Sequence, residues 1–195
     1  MKLIRLSIIW FLISLFFATL FQPEHYNSFI YTISELAHQD YERAWILLLG
    51  FFGNGILLFS SGFYYLKANL IPKTPAKLLM VSGIAIIGMG LFQTNFDYYG
   101  IRPSDNILFM LLHIVFALSN QATFYLMVLY HIKQSDDALK KKHLLLLVLN
   151  VIFAVLFSLF SFIPFYRGIF QRLIFIVSAI WFWFYFNRYQ VIKKD

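Results

Sequence analysis

The chain has 195 residues, of which 61% are hydrophobic and only 13% charged, with a mean hydropathy of +0.72 and a formal net charge of +7. A soluble domain carries about 25% charged residues, and no water-soluble fold of this length hides so much apolar surface, whereas a bilayer acts as the apolar solvent. The positive charge does not indicate nucleic acid, because the basic residues sit at the ends of apolar runs and form no continuous stripe; the absence of cysteine removes disulfides, thiolate metal ligands and cysteine nucleophiles together.

A helix needs about 20 apolar residues to cross about 30 Å of hydrocarbon. Six runs reach or approach that length, and they predict spans over residues 4–21, 44–66, 77–96, 106–130, 143–163 and 167–188. The first follows Lys2 and Arg5 and ends in Leu20-Phe21-Gln22 with no small-residue cleavage pattern, so it reads as an uncleaved helix. Between it and the second span lies Gln22 to Arg43, too long for a tight turn and too short for a domain. Its pattern predicts a short helix lying at the membrane interface, with Tyr26, Phe29, Tyr31 and Tyr41 as aromatic anchors. Pro164 closes the fifth span, since proline cannot continue a helix ladder.

Loop charges set the orientation. Twelve of the sixteen basic residues fall at the N-terminus, in the loops carrying Lys67, Lys73 and Lys77 and Lys133 and Lys140–Lys142, or at the C-terminus. The opposite side carries Arg43, Arg102, Arg167 and Arg172 but six of the nine acids, Glu24, Glu35, Asp40, Glu42, Asp97 and Asp105. The positive-inside rule then puts both termini in the cytoplasm, and an even helix count agrees. The predicted fold class is an all-α integral membrane protein: one six-transmembrane-helix bundle over residues 1–195, N-in/C-in, with a short extracytoplasmic interfacial helix between helices 1 and 2.

Polar groups in hydrocarbon need protein partners, so they carry the information about sites. On the fourth helix His113, Ala117, Asn120, Gln121 and Phe124 form one stripe that should face the bundle interior. His113 is the one histidine inside an apolar run; as a structural residue it would bond a neighbouring helix. Arg172 lies about 22 Å of helix from Arg188, too short to cross the bilayer, so it sits inside the outer boundary or snorkels toward it. Asp97, Glu35 and Asp105 are its candidate carboxylate partners. Thr32-Ile33-Ser34-Glu35 fits a capping box. Asn54, beside Gly50, Gly53 and Gly55, and the stripe of Asn150, Ala154, Ser158 and Ser161 read first as helix-packing positions. Histidines 25, 38 and 113 and Asp97 are the side chains a metal would use, but their spacing demands none, and no cofactor motif is present.

These residues resemble a known group. Tyr31-Thr32-Ile33-Ser34-Glu35-Leu36-Ala37 is similar to the Ser-Glu-Leu-Gly segment of the bacterial domain-of-unknown-function family numbered 998. Phe92 to Asp97 resembles that family's outer motif ending in aspartate, and His113 its histidine in the next helix. Gly168-Ile169-Phe170-Gln171-Arg172-Leu173, with Trp181 downstream, resembles its Gly-x-x-Gln-Arg segment. The chain departs from the pattern at Ala37, where glycine is usual, and lacks the proline before the aspartate. The resemblance implies a six-helix fold in a bacterial plasma membrane and picks out Ser34, Glu35, Asp97, His113 and Arg172, without giving them roles.

The leading functional expectation is binding or transport of a lipid or small polar ligand in an extracytoplasmic pocket, with Ser34, Glu35, Asn54, Asp97, His113 and Arg172 as candidates. The alternatives are an intramembrane metal-dependent hydrolase, using His38, His113 and Asp97, and a non-catalytic assembly subunit. The bilayer is the one partner that composition itself requires.

Overall fold

The computed structural model describes residues 2–24, 26–38, 41–93, 107–160 and 166–186. It contains six long helices, α1 (Lys2–Leu20), α2 (Ala44–Lys67), α3 (Lys73–Leu91), α4 (Ile107–Gln134), α5 (Asp137–Phe160) and α6 (Arg167–Phe184), and one short 3-10 helix, Ile33–Ala37. All six are long and apolar enough to cross a membrane. The chain is therefore a polytopic membrane protein by helix length and composition.

Each helix packs on its neighbours in sequence, and α6 returns to α1, so the six close a ring. An aromatic core fills it: Phe11 stacks on Phe175 and meets Phe51, while Phe124 stands edge-on to Trp181. Over residues 107–129 of α4 and 144–159 of α5 the exposed faces are almost wholly apolar, as lipid-facing surfaces should be.

The α2–α3 pair shows how small residues set helix distance. A Cβ on Gly55 would lie 2.6 Å from Gly83 O, and one on Gly83 would lie 2.6 Å from Gly55 O, so the two backbones touch where neither carries a side chain. Asn69, at φ 50, takes the left-handed position after α2 and turns the chain into α3.

The predicted spans differ from the helices mainly at the ends. Helices α4 and α5 run past their apolar stretches through Lys133 and Lys140–Lys142. At 28 and 24 residues they measure about 42 and 36 Å, more than the hydrocarbon thickness. Asp136 accepts the Leu139 N–H at 2.8 Å and so caps α5 before the lysines begin. Hydrophobicity marks where a helix must be, and capping marks where it stops. Pro164, expected to end the fifth span, lies outside the described residues; α5 is described to Phe160.

The α4 stripe faces inward as expected. Ser82 Oγ donates to Asn120 Oδ1 (2.6 Å), joining α3 to α4. Gln121 Nε2 donates to Asn150 Oδ1 (2.6 Å), and Asn150 Nδ2 donates to Ile174 O (3.1 Å) and Ser178 Oγ (3.0 Å), tying α4, α5 and α6 through one fully buried amide. Such interhelical bonds contribute roughly 0.6 kcal/mol each in membrane proteins. Ser158, placed with Asn150 by the sequence pattern, is exposed and bonds its own helix at Ala154 O.

Candidate functional site

The segment between α1 and α2 contains the expected short helix, but it is tucked into the bundle. Ile33, Ser34, Glu35, Leu36 and Ala37 are all buried, and the helix packs against α1, α2 and α6. The aromatic anchors divide accordingly. Phe29 is exposed, whereas Tyr26 and Tyr31 are buried and stack on each other, so the anchor assignment is corrected for these two. Tyr26 carries its hydroxyl into a polar cluster that rewards burial.

The capping box is present, with Thr32 as N-cap and Glu35 at N3. Glu35 Oε2 accepts the Thr32 N–H at 2.5 Å. Its other oxygen, Oε1, meets Arg167 Nη2 at 2.6 Å, a buried ion pair between side chains that are 2% and 8% exposed. Burial pushes the Glu35 carboxyl above its ordinary range, and the Arg167 guanidinium and Thr32 hydrogen bonds pull it back. Of the three carboxylates offered as partners for Arg172, Glu35 is thus set aside: it pairs with Arg167, at the first turn of α6.

Arg172 forms no ion pair among the described residues. Its Nη1 donates to the carbonyls of Ser28 (2.7 Å), Tyr31 (2.9 Å) and Gly168 (3.0 Å), and its Nη2 to Tyr26 Oη (2.8 Å). Tyr26 Oη in turn donates to Thr32 O at 2.9 Å. Burial raises the Tyr26 hydroxyl to about 12, against the opposing pull of the Arg172 cation, so it is a neutral donor at physiological pH.

Gln171 Oε1 accepts the Ile33 N–H (2.5 Å), and the Gly168 N–H donates to Phe29 O (2.9 Å). Buried irregular backbone must have its polar groups satisfied by protein. Here the start of α6 does so: Arg167, Gly168, Gln171 and Arg172 together hold the segment from Tyr26 to Glu35. The two sequence motifs singled out separately, Ser34-Glu35 and Gly168-x-x-Gln171-Arg172, are one structure.

The remaining candidates lie elsewhere. His113 is buried, and its Nδ1 donates to Phe92 O (2.7 Å) and Met89 O (3.1 Å) at the end of α3. This closes two carbonyls that a helix C-terminus leaves open. Among the described residues the hydrogen-bond partners of His113 lie on α3 and its end, and not in the α6 cluster. Asn54 is half-buried on α2, apart from it. Asp97, with His25, Asp40 and Asp105, lies outside the described residues. His38 is buried at the end of the 3-10 helix, its ring 5.5 Å from that of Tyr41. Among the described residues no three histidine, aspartate or glutamate side chains converge as a metal site.

The sequence reading missed Arg167, which looks like a solvated helix-end charge, and Tyr26 and Gln171, which carry no motif of their own. It also placed one histidine within the spans. Helix α4 extends past its predicted span and makes His131 helical and buried; His143, at the first position of the predicted fifth span, is helical and buried as well, the two rings 5.7 Å apart. Trp181 Nε1 donates to His143 Nδ1 at 3.0 Å, which fixes the neutral tautomer protonated on Nε2.

Two open depressions adjoin the clamped segment, each of about 570 Å³. One is walled by Tyr26, Ser28 and Tyr31, all partners of Arg172. The other lies between Phe21, Leu36, Tyr41, Glu42 and Arg43, and the two share Gln22 and Glu24. No curated protein and no solved structure matches the chain. A family model does match, over residues 6–186, an interval that holds every candidate residue named above, and the chain belongs to the family described as Protein of unknown function (DUF998).

Proposed function

We propose that the protein is a multi-pass bacterial cell-membrane protein, with both termini cytoplasmic, that binds an anionic group through the α6 cluster on its extracytoplasmic side. One observation carries the reading. Among the described residues Arg172 is held wholly by neutral oxygens, the carbonyls of Ser28, Tyr31 and Gly168 and the Tyr26 hydroxyl. A part-buried guanidinium held in this way is costly in low dielectric and suits an anion. The adjoining depression is walled by three of its partners, Tyr26, Ser28 and Tyr31. A lipid phosphate or a small soluble anion has the required chemistry.

The test uses the shift in thermal unfolding caused by added phosphatidylglycerol, relative to phosphatidylcholine, in detergent. A ligand at about 100 times its Kd stabilises by about 2.7 kcal/mol. The wild type should show a Tm increase of that order, and Arg172→Gln should lose it. A variant with Lys140, Lys141 and Lys142 all changed to Gln should keep it. Equal shifts in the wild type and Arg172→Gln would refute the reading.

Orientation is tested separately. The chain has no cysteine, so a single cysteine is its own reporter. Cysteine at Asn27 should react with an impermeant maleimide in intact cells, and cysteine at Lys141 should react after lysis alone. The reverse pattern would invert the topology.

A further inference from the structure

We infer that Arg5 and Trp183 form a binding site for a phosphate ester at the seam where α6 returns to α1, at the membrane surface of the Lys2 end. The site is independent of the anion site proposed above, which lies at the opposite end of α6.

The elements around Arg5 give it no counter-ion. Helix α1 packs chiefly on α2 and α6, and none of these three carries an aspartate or glutamate. The 3-10 helix that also touches α1 carries Glu35, which is paired with Arg167. Lys2, one turn before Arg5, adds charge of the same sign. A part-buried cation in such surroundings draws its counter-charge from outside the chain.

Its geometry is not that of an arginine reaching for water. A snorkelling side chain keeps its whole charged head solvated. Arg5 is part-buried, its Cζ lies 5.1 Å from the centre of the Trp183 ring, and its Nε is buried without a hydrogen-bond partner. The indole face compensates part of the charge but offers no oxygen acceptor. The N–H donors on the Nη atoms of Arg5 also meet no oxygen among the described residues, whereas those of Arg172 meet four.

A phosphate fits the level as well as the charge. Helix α1 has 19 residues, about 28 Å, close to the hydrocarbon thickness, so Arg5 at the end of its first turn stands near the level of lipid headgroups. Tryptophan is favoured at that same level, and a guanidinium fork binds two oxygens of one phosphate. Phosphatidylcholine and phosphatidylglycerol both carry that phosphate, so this site does not enter the comparison between them that tests Arg172.

The experiment titrates delipidated, full-length protein in dodecyl maltoside with phosphatidylcholine, and separately with a diacylglycerol of the same chains, which lacks the phosphate. Native mass spectrometry reads the affinity for the first lipid bound. The wild type should bind phosphatidylcholine about tenfold more tightly than diacylglycerol, the worth of one charge-assisted hydrogen bond. Arg5→Gln should bring the two to within about twofold by weakening phosphatidylcholine alone. Trp183→Leu removes the ring and no charge, and should weaken phosphatidylcholine about threefold. Competition by inorganic phosphate supports the site and makes the phosphate group sufficient; a preference that inorganic phosphate leaves unchanged supports it and identifies a phospholipid. Equal binding of phosphatidylcholine and diacylglycerol by the wild type, or a preference that survives Arg5→Gln, would overturn the inference and leave the Arg172 site standing. The first of these outcomes depends on no variant being folded.

Discussion

Gly168→Ala should unfasten the segment between α1 and α2 and lower the stability of the whole bundle by roughly 3 kcal/mol. A Cβ at this position would collide with Tyr31 O and sit 2.5 Å from Ser28 O. Both are backbone atoms, and Arg172 Nη1 already binds both carbonyls, so no flexible side chain can swing aside. Relief requires the segment to lift off α6. That breaks the Gly168 N–H to Phe29 O bond and strips Arg172 of the carbonyls that compensate its charge. Reversible unfolding in mixed detergent micelles, with helicity followed by circular dichroism, measures the loss. A change below about 0.5 kcal/mol, the range of ordinary surface substitutions, would mean that α6 and the segment do not depend on each other.

The Glu35–Arg167 pair should show strong coupling in a double-mutant cycle. Removing one member of a buried ion pair costs about 3–5 kcal/mol, because the survivor stays buried without its partner. Glu35→Ala and Arg167→Ala should each fall in that range. The double substitution should cost clearly less than the two added together, since no orphaned charge is left. Glu35→Ala should be the costlier single change, because its carboxylate also accepts the Thr32 N–H and completes the capping box. Strict additivity would show that the two groups do not sense each other.

Much of the fold is legible in the residues. An apolar run near 20 residues has one stable solution in lipid, a helix, so all six helices follow from composition and length alone. The capping box at Thr32 and Glu35 was legible because both halves lie within one turn of chain. The inward face of α4 was legible from helical periodicity, and Asn120 and Gln121 do bond neighbouring helices. Tyr26 was misjudged for a reason intrinsic to sequence reading. A tyrosine between membrane helices looks the same as an interfacial anchor or as a buried donor until the guanidinium it faces is known.

Charge alone requires that a part-buried arginine be compensated, but it does not say by what. For Arg172 the sequence offered carboxylates as partners, and the fold supplied carbonyls, which an irregular segment presents in excess. For Glu35 the partner lies 132 residues away in sequence. Nothing local distinguishes Arg167 from Arg172, five residues along α6. Lipid forces each helix to form independently of the rest, and so the sequence by itself determines the spans. The choice between two arginines depends on how α6 is rotated and how closely its Gly168 face meets the segment from Ser28 to Tyr31, which only the packed bundle decides.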